Sequence, residues 1–122
     1  ISQVLVGGKS IIVKDLTPKR DYVYLDDLLS ALAVTLNKPN GYRVYNIGSG
    51  ASLSVQEVID VIQEIAGTQK NIVCDNKARV NELVDVVADI TKAKNELGWH
   101  PDYSFRAGIE TIIQSKINRE KT

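Results

Sequence analysis

Residues 42–67 of the chain read YRVYNIGSGASLSVQEVIDVIQEIAG. Their first six residues are a β-rich run that leads into a glycine-rich loop, and we predict a strand over residues 42–47. Ser54 and Glu57 then have the spacing of a capping box, and Gly67 is a typical helix stop. Between them, four apolar residues recur at the helical period: Val58, Ile59, Ile62 and Ile65. A strand, a loop and a capped helix in this order predict a mixed α/β fold.

The flanking sequence supplies further elements of both kinds. Turn residues separate short β-rich runs, which predict strands over residues 10–15, 21–25 and 71–75 and an extended segment over 82–89. Leucine periodicity predicts a helix over residues 27–36, and a shorter helix over 91–97 has Thr91 as N-cap and Gly98 as C-cap. Ser104 is placed to cap a last helix that runs through Ile113 and then frays. The fold class is therefore a small α/β domain.

Composition limits the classes of function. The chain has 122 residues, of which 43% are hydrophobic and 25% charged, so it predicts one globular domain. Lys+Arg and Asp+Glu both count 15 and are interspersed, which argues against a nucleic-acid partner or an anionic membrane surface. Cys74 is the only cysteine, so a disulfide framework and a cysteine-clustered metal site are excluded. We expect a cytoplasmic protein without a membrane span.

The opening ISQVLVGG resembles the end of a helix, and the chain contains no methionine. We therefore interpret the chain as the C-terminal piece of a longer protein. Its opening residues, with YNIG at residues 45–48 as a second candidate, are expected to expose an apolar face, which favours a homodimer or a larger assembly.

The chain has no standard glycine-rich phosphate loop. No GxGxxG follows a strand, so the chain itself is expected to bind no NAD and no other cofactor. GSGAS, residues 48–52, is the nearest approach to a phosphate loop, and its spacing fits neither a P-loop nor a dinucleotide turn. It is either a ligand contact or a turn that needs positive φ.

The run RDYVYLDD, residues 20–27, combines charges with a β-rich core. Asp26 and Asp27 fit helix caps, and Arg20 at the mouth of a strand is suited to gripping an anion. Asp21 either orients Arg20 or is a plain surface charge. Trp99 is expected to anchor packing, with His100 facing solvent.

Four segments in order resemble one family: RDYVYLDDLLSAL, YNIGSGASLSVQEVIDVIQEIAG, ARVNELVDVVADITKAKNELGWHP and SFRAGIETII. Together they are similar to the C-terminal half of the NAD-dependent nucleotide-sugar epimerases and dehydratases, the extended short-chain dehydrogenases. The resemblance implies a substrate-binding domain that packs against an N-terminal Rossmann domain. That N-terminal domain carries the glycine fingerprint and the catalytic residues, so no catalytic residue is expected in this chain.

The resemblance also implies a substrate site. Arg20 and Arg79 match family arginines that contact the diphosphate, Glu82 matches an acidic residue that bonds a ribose hydroxyl, and Val86 lies where the family lines the sugar end. Apart from the resemblance, Arg79 and Glu82 also fit a surface ion pair. The usual RPGE is RVNE here, and Leu16 and Pro18 replace a glycine and a glutamine in the loop before Arg20.

By this resemblance the intact enzyme is a UDP-sugar epimerase that uses NAD to abstract hydride from the sugar C4. A dehydratase or decarboxylase of the same family is the alternative within the enzyme class. A non-catalytic binding module is the alternative outside it. The expected partners are a nucleotide-diphosphate sugar and the N-terminal Rossmann domain.

Overall fold

The computed structural model describes residues 1–6, 8–38, 41–75 and 81–120. Helices and short strands alternate along the chain, which confirms the predicted small mixed α/β fold. In chain order the elements are α1 (Ser2–Leu5), β1 (Ser10–Val13), β2 (Lys19–Asp21), α2 (Leu25–Thr35), β3 (Ser52–Ser54), α3 (Val55–Ala66), β4 (Asn71–Cys74), β5 (Asp85–Val86), a π-helix (Ala93–Leu97) and α4 (Phe105–Glu120).

The strands form two small sheets. β1 pairs with β4 in parallel, and β2 lies between β3, its antiparallel neighbour, and β5, its parallel neighbour. The register places Arg20 of β2 opposite Leu53 on one side and Val86 on the other. The central position of β2 fixes the backbone of Arg20 between two neighbouring strands.

The helix α3 begins and ends where its sequence predicts. The Ser54 hydroxyl accepts the Glu57 N–H at 3.1 Å, and the Glu57 carboxylate accepts the Ser54 N–H at 2.7 Å. Gly67 ends the helix with φ of 64°, in the left-handed region where glycine is favoured. The capping box and the C-cap are therefore both confirmed.

Two hydrophobic clusters make up the core. The first joins α1, β1, α3 and α4 and has as its buried members Val4, Ile11, Ile59, Ile62, Ile109 and Ile113. The second lies between α2 and the π-helix and contains Ala31, Ile90, Ala93, Leu97 and Trp99. Val4 is buried, and Ile1 and Leu5 pack against the first cluster. Val6 is 66% exposed, so the expected exposed apolar face at the opening residues is reduced to this one side chain, and the other apolar residues there belong to the core.

The predicted strand over residues 42–47 is also wrong. These residues lie outside both sheets, and side chains hold them against the π-helix region. Tyr45 donates its hydroxyl to Glu96 at 2.9 Å, and Lys92 Nζ donates to the Val44 carbonyl at 2.9 Å. Asn46 Nδ2 donates to the Asp89 carbonyl. A β-rich run becomes a strand only where a neighbouring strand offers a hydrogen-bond ladder, and neither sheet reaches this segment.

Other predicted boundaries change as well. The second strand is Lys19–Asp21 rather than residues 21–25, because Tyr22 and Tyr24 pack their rings against Phe105 and Tyr103.

The last two helices also differ from their predicted bounds. Thr91 is not an N-cap; its N–H donates to the Asp89 carboxylate, and the turns that follow are a π-helix ending at Gly98. The last helix is capped by Ser104 as predicted, but it continues to Glu120 rather than fraying after Ile113.

Asp27 has a different role from the predicted cap. Its side chain is 2% exposed and accepts the N–H groups of Asp102 and Tyr103 at 2.8 and 3.1 Å. Trp99, buried as predicted, donates its indole N–H to the Asp27 carbonyl and the Ser30 hydroxyl. Asp27 therefore fixes the loop before α4 onto α2.

Candidate functional site

Arg20 lies at the centre of the candidate site. Its Nη1 donates to the carbonyls of Lys19 and Leu83 at 2.7 and 2.8 Å, and its Nη2 donates to Glu82 Oε1 at 3.0 Å. The side chains of Arg20 and Glu82 are 34% and 20% exposed, so the ion pair is half-buried. Strand β2 and the segment before β5 thus bring together two of the predicted site residues, although they are 62 positions apart.

An open groove of about 400 Å³ runs beside this ion pair. We call it the Arg20 groove. Two basic residues, Lys14 and Arg20, and two acidic residues, Asp15 and Glu82, line it beside apolar residues, an arrangement suited to a ligand with both polar and apolar parts. Its lining residues are Ile12, Val13, Lys14, Asp15, Pro18, Arg20, Val55 and Glu82.

Val86 lies on the other side of Arg20. It faces a second open groove of about 530 Å³, which Arg20 also lines together with Asp21, Tyr45 and Asn46. Because Arg20 and Val86 are register partners on neighbouring strands, the two grooves meet at Arg20. The structure thus brings together Arg20, Glu82 and Val86. Arg79 lies outside the described residues.

The turn that presents Glu82 has an unusual backbone. Asn81 has φ of 64°, in the left-handed region that asparagine tolerates better than other non-glycine residues. Asparagine therefore suits the position where the RPGE pattern has glycine. This explains how RVNE keeps an acidic residue directed toward Arg20.

Asp21 neither orients Arg20 nor stands free at the surface. Its carboxylate accepts the N–H and hydroxyl of Ser49, both at 2.7 Å, and the N–H groups of Gly50 at 3.0 Å and Ala88 at 3.2 Å. Burial acts to raise the pKa of Asp21, but these hydrogen bonds outweigh it and hold the pKa below its ordinary value. An ionised Asp21 ties the loop before β3 to the segment after β5.

This arrangement decides how the GSGAS loop is used. The N–H groups of Ser49 and Gly50, which a phosphate loop would present to its ligand, already donate to Asp21. A carboxylate in that position also repels a pyrophosphate. The loop does not fit the pyrophosphate of NAD. Gly50, with φ of 76°, confirms the positive-φ turn, while Gly48 of the same loop lines the second groove.

Close packing also explains Gly48. A Cβ at this position would approach Asp21 Oδ2 and the Ala88 Cβ to 2.6 Å. Only a residue without a side chain lets the loop reach the Asp21 carboxylate.

Val55 and Pro18 were missed as groove residues by sequence reasoning. Val55 is the first residue of α3, directly after the capping-box serine, and was interpreted only as part of the helix start. Pro18 was interpreted only as part of a turn. Nothing in their local sequence distinguishes them from ordinary helix-start and loop residues.

In the described part of the chain, no three His, Cys, Asp or Glu side chains cluster as a metal site requires. No helix among the described residues is long and apolar enough to cross a membrane.

The comparison with known families decides the identity of this arrangement. The family model described as GDP-mannose 4,6 dehydratase matches residues 1–112 of the chain. The chain belongs to this family. The match confirms the resemblance to nucleotide-sugar epimerases and dehydratases drawn from the sequence.

Individual members of the family are similar over most of the chain. A putative UDP-glucose 4-epimerase from Methanocaldococcus jannaschii is 33% identical over 122 residues, which are 100% of this chain and 39% of that protein. The UDP-glucose 4-epimerase from Bifidobacterium longum, solved with NAD+ and UDP, superimposes with a TM-score of 0.84 at 26% identity, over 98% of this chain and 38% of that one. The dTDP-glucose 4,6-dehydratase from Bacillus anthracis, solved with NAD, gives a TM-score of 0.78 at 27% identity, over 92% and 36%.

The matched part of each relative is much shorter than the relative itself. The chain spans less than two-fifths of the length of each of these relatives. Its small α/β fold is that of the C-terminal part of such enzymes.

Proposed function

We propose that this chain is the C-terminal, substrate-binding domain of an NAD-dependent nucleotide-sugar epimerase and that it grips the diphosphate and ribose of a UDP-sugar. Arg20 and Arg79 contact the diphosphate, Glu82 bonds a ribose hydroxyl, and Val86 lines the sugar end. The observation that carries the proposal is the meeting of Arg20, Glu82 and Val86 around two adjoining grooves.

The chemistry of Arg20 supports an anionic ligand. A guanidinium has five N–H donors and meets phosphate oxygens in a bidentate fashion. Three of these donors have protein partners among the described residues, and two of those partners are backbone carbonyls that hold the side chain in place. A side chain held in this way loses little rotational freedom when a phosphate binds, which favours affinity.

The chain's share in the reaction is to bind and orient the substrate. NAD supplies hydride chemistry when it is bound, and in this proposal an N-terminal Rossmann domain of the intact enzyme holds it. Fixing the diphosphate at Arg20 aligns the sugar with that domain and converts binding energy into orientation.

A nucleotide-sugar 4,6-dehydratase is the second candidate, because a dehydratase is among the similar structures. Both reactions begin with the same class of substrate and share the diphosphate grip. A decarboxylase shares it too, whereas a non-catalytic binding module would keep the fold without needing the charges at Arg20.

Titration of UDP into Arg20 variants, followed by calorimetry, tests the proposal. Arg20→Ala removes charge-assisted hydrogen bonds, so we expect its affinity for UDP to fall by about tenfold or more. We expect Arg20→Lys to bind UDP more tightly than Arg20→Ala and more weakly than the wild type. Lysine keeps the positive charge but cannot donate two parallel hydrogen bonds to one phosphate.

The matched control is Arg106→Ala, which removes an exposed arginine of α4 that pairs with Glu64 and lines neither groove. We expect this variant to bind UDP as the wild type does. Equal loss in both variants, or no loss in Arg20→Ala with its melting temperature kept, would argue against the site.

A further inference from the structure

A pocket of about 170 Å³ lies between the segment that follows β2 and the beginning of α4. Four aromatic residues line it, and we call it the aromatic pocket: Tyr22, Tyr24, Tyr103 and Phe105. The ring centroids of Tyr22 and Phe105 are 5.4 Å apart, and those of Tyr24 and Tyr103 are 4.6 Å apart. Two ring pairs, each joining residues that are distant in sequence, therefore meet at one small cavity.

The aromatic pocket is separate from the Arg20 groove. The two share no lining residue, and the aromatic pocket shares only Val23 with the second groove. An inference about this pocket therefore does not depend on the proposed function.

The lining of the pocket favours a compact cation with an apolar surface. Among the described residues, none that lines it has a charged side chain, so a ligand cannot form an ion pair with the lining. Aromatic rings are negative over their faces, and they attract a cation that comes within about 6 Å of the ring centre. Four rings at one cavity are typical of sites that bind quaternary ammonium groups.

The size of the pocket and the charge beside it agree with this chemistry. An apolar cavity of about 150 Å³ holds one benzene molecule, so the aromatic pocket has room for one group of that size. The buried Asp27 carboxylate accepts the Tyr103 N–H at 3.1 Å, which places a negative group beside the pocket and favours a cation over a neutral ligand. A quaternary ammonium group fits because methyl groups surround its charge and it needs no hydrogen-bond acceptor.

We infer that the aromatic pocket binds a quaternary ammonium group, with the rings of the four aromatic residues around it. Free choline-type molecules and trimethylated lysine side chains both carry this group. The pocket offers the same chemistry to either source, and the experiment separates the two.

The test compares choline with its neutral isostere 3,3-dimethylbutan-1-ol, each titrated into the chain at constant ionic strength. NMR follows the amide signals of Ser104 and Gly108, which both line the pocket. We expect choline to shift these signals and to bind about fivefold more tightly than the neutral isostere, or more, because only choline gains the attraction of the rings for a charge. Equal affinity for the two molecules, or no shift with choline, would overturn the inference.

Tyr103→Leu and Tyr103→Phe separate the ring from its bulk and its hydroxyl. Leucine keeps an apolar side chain without a ring, so the preference for choline should fall toward that of a simple apolar pocket, whereas phenylalanine should retain it. Tyr42→Leu is the control, since Tyr42 is 94% exposed and lies outside the pocket, and it should bind choline as the wild type does. Equal loss of the preference in Tyr103→Phe and Tyr103→Leu, with the melting temperature of Tyr103→Phe kept, would contradict the role of the ring.

A short peptide with one trimethyllysine, compared with the same peptide carrying unmodified lysine, identifies the source of the group. Tighter binding of the trimethylated peptide than of choline would indicate a modified protein, and weaker binding would indicate a free molecule. Either result supports the site. Equal binding of the two peptides at the Ser104 and Gly108 signals would contradict it, because the pocket would then not distinguish the methylated cation.

Discussion

The carboxylate of Asp21 connects two segments that are distant in sequence from β2: the loop at residues 48–50 and the segment that follows β5. Arg20 and Val86 belong to the strands that this carboxylate holds together. Asp21, the neighbour of Arg20 in sequence, thus helps to position the site residues although it does not line the Arg20 groove.

Asp21→Asn is expected to lower the melting temperature by roughly 5 °C or more at neutral pH, because an amide offers one acceptor oxygen and places N–H donors against N–H donors. The pKa of Asp21 is lowered in the folded protein, so its stabilisation is complete above its ordinary pKa of 3.8 and is lost as the pH falls through the folded pKa. Thermal denaturation across pH 2–7 should show the two proteins converging below pH ~4.

Asp60→Asn is the control for this series, since Asp60 is an exposed residue of α3 that accepts a hydrogen bond from Gln56 on the same helix. Its melting temperature should stay near that of the wild type. A constant difference between Asp21→Asn and wild type down to the lowest pH would contradict the assigned role of the carboxylate.

The sequence predicted the roles of some single residues and not of others. Trp99 was predicted as a packing anchor because a large aromatic residue after a helix stop has few other roles. The ion pair of Arg20 with Glu82 and the bonds from Asp27 to residues 102 and 103 were not predictable. Each joins positions more than 60 apart in the chain, and no local pattern records such a contact.

The helices illustrate what local sequence determines at the scale of elements. The capping box of α3 and the glycine stops after α3 and the π-helix are local signals, and all three were predicted. The strand expected over residues 42–47 failed because strand formation depends on a partner that local sequence does not reveal.

Helix α4 offers a prediction about packing between elements. A Gly→Ala change inside a helix normally stabilises it by roughly 0.5–1 kcal/mol. At Gly108, however, the new Cβ would lie 2.8 Å from Cδ2 of the Tyr24 ring, which Tyr103 also holds in place. Gly108→Ala is therefore expected to lower the melting temperature.

The sign of this effect should reverse when the ring is removed. In a Tyr24→Ala background, Gly108→Ala should raise the melting temperature relative to Tyr24→Ala alone. If Gly108→Ala destabilises both backgrounds equally, contact with Tyr24 is not its cause.

At the scale of the whole molecule, α2 carries the apolar surface that the opening residues were expected to provide. Leu25, Leu29, Leu32 and Leu36 follow a 4-3-4 spacing along one face of the segment and are 52–85% exposed. This spacing is typical of helix–helix contacts. We expect the isolated chain to self-associate through this face.

Leu29→Lys/Leu32→Lys is expected to shift the isolated chain toward monomer by placing charges in the contact, and sedimentation velocity across micromolar concentrations measures the change. Gln114→Lys/Ser115→Lys adds the same charge to α4 and should leave the association unchanged. A wild type that sediments as a monomer throughout would contradict this prediction.

The central claim is that Arg20 and Glu82 receive a nucleoside diphosphate. A crystal structure of the chain with UDP tests it most directly. We predict that the diphosphate lies within hydrogen-bond distance of the Arg20 guanidinium and that Glu82 accepts from a ribose hydroxyl. UDP bound away from Arg20 and Glu82 would contradict the account.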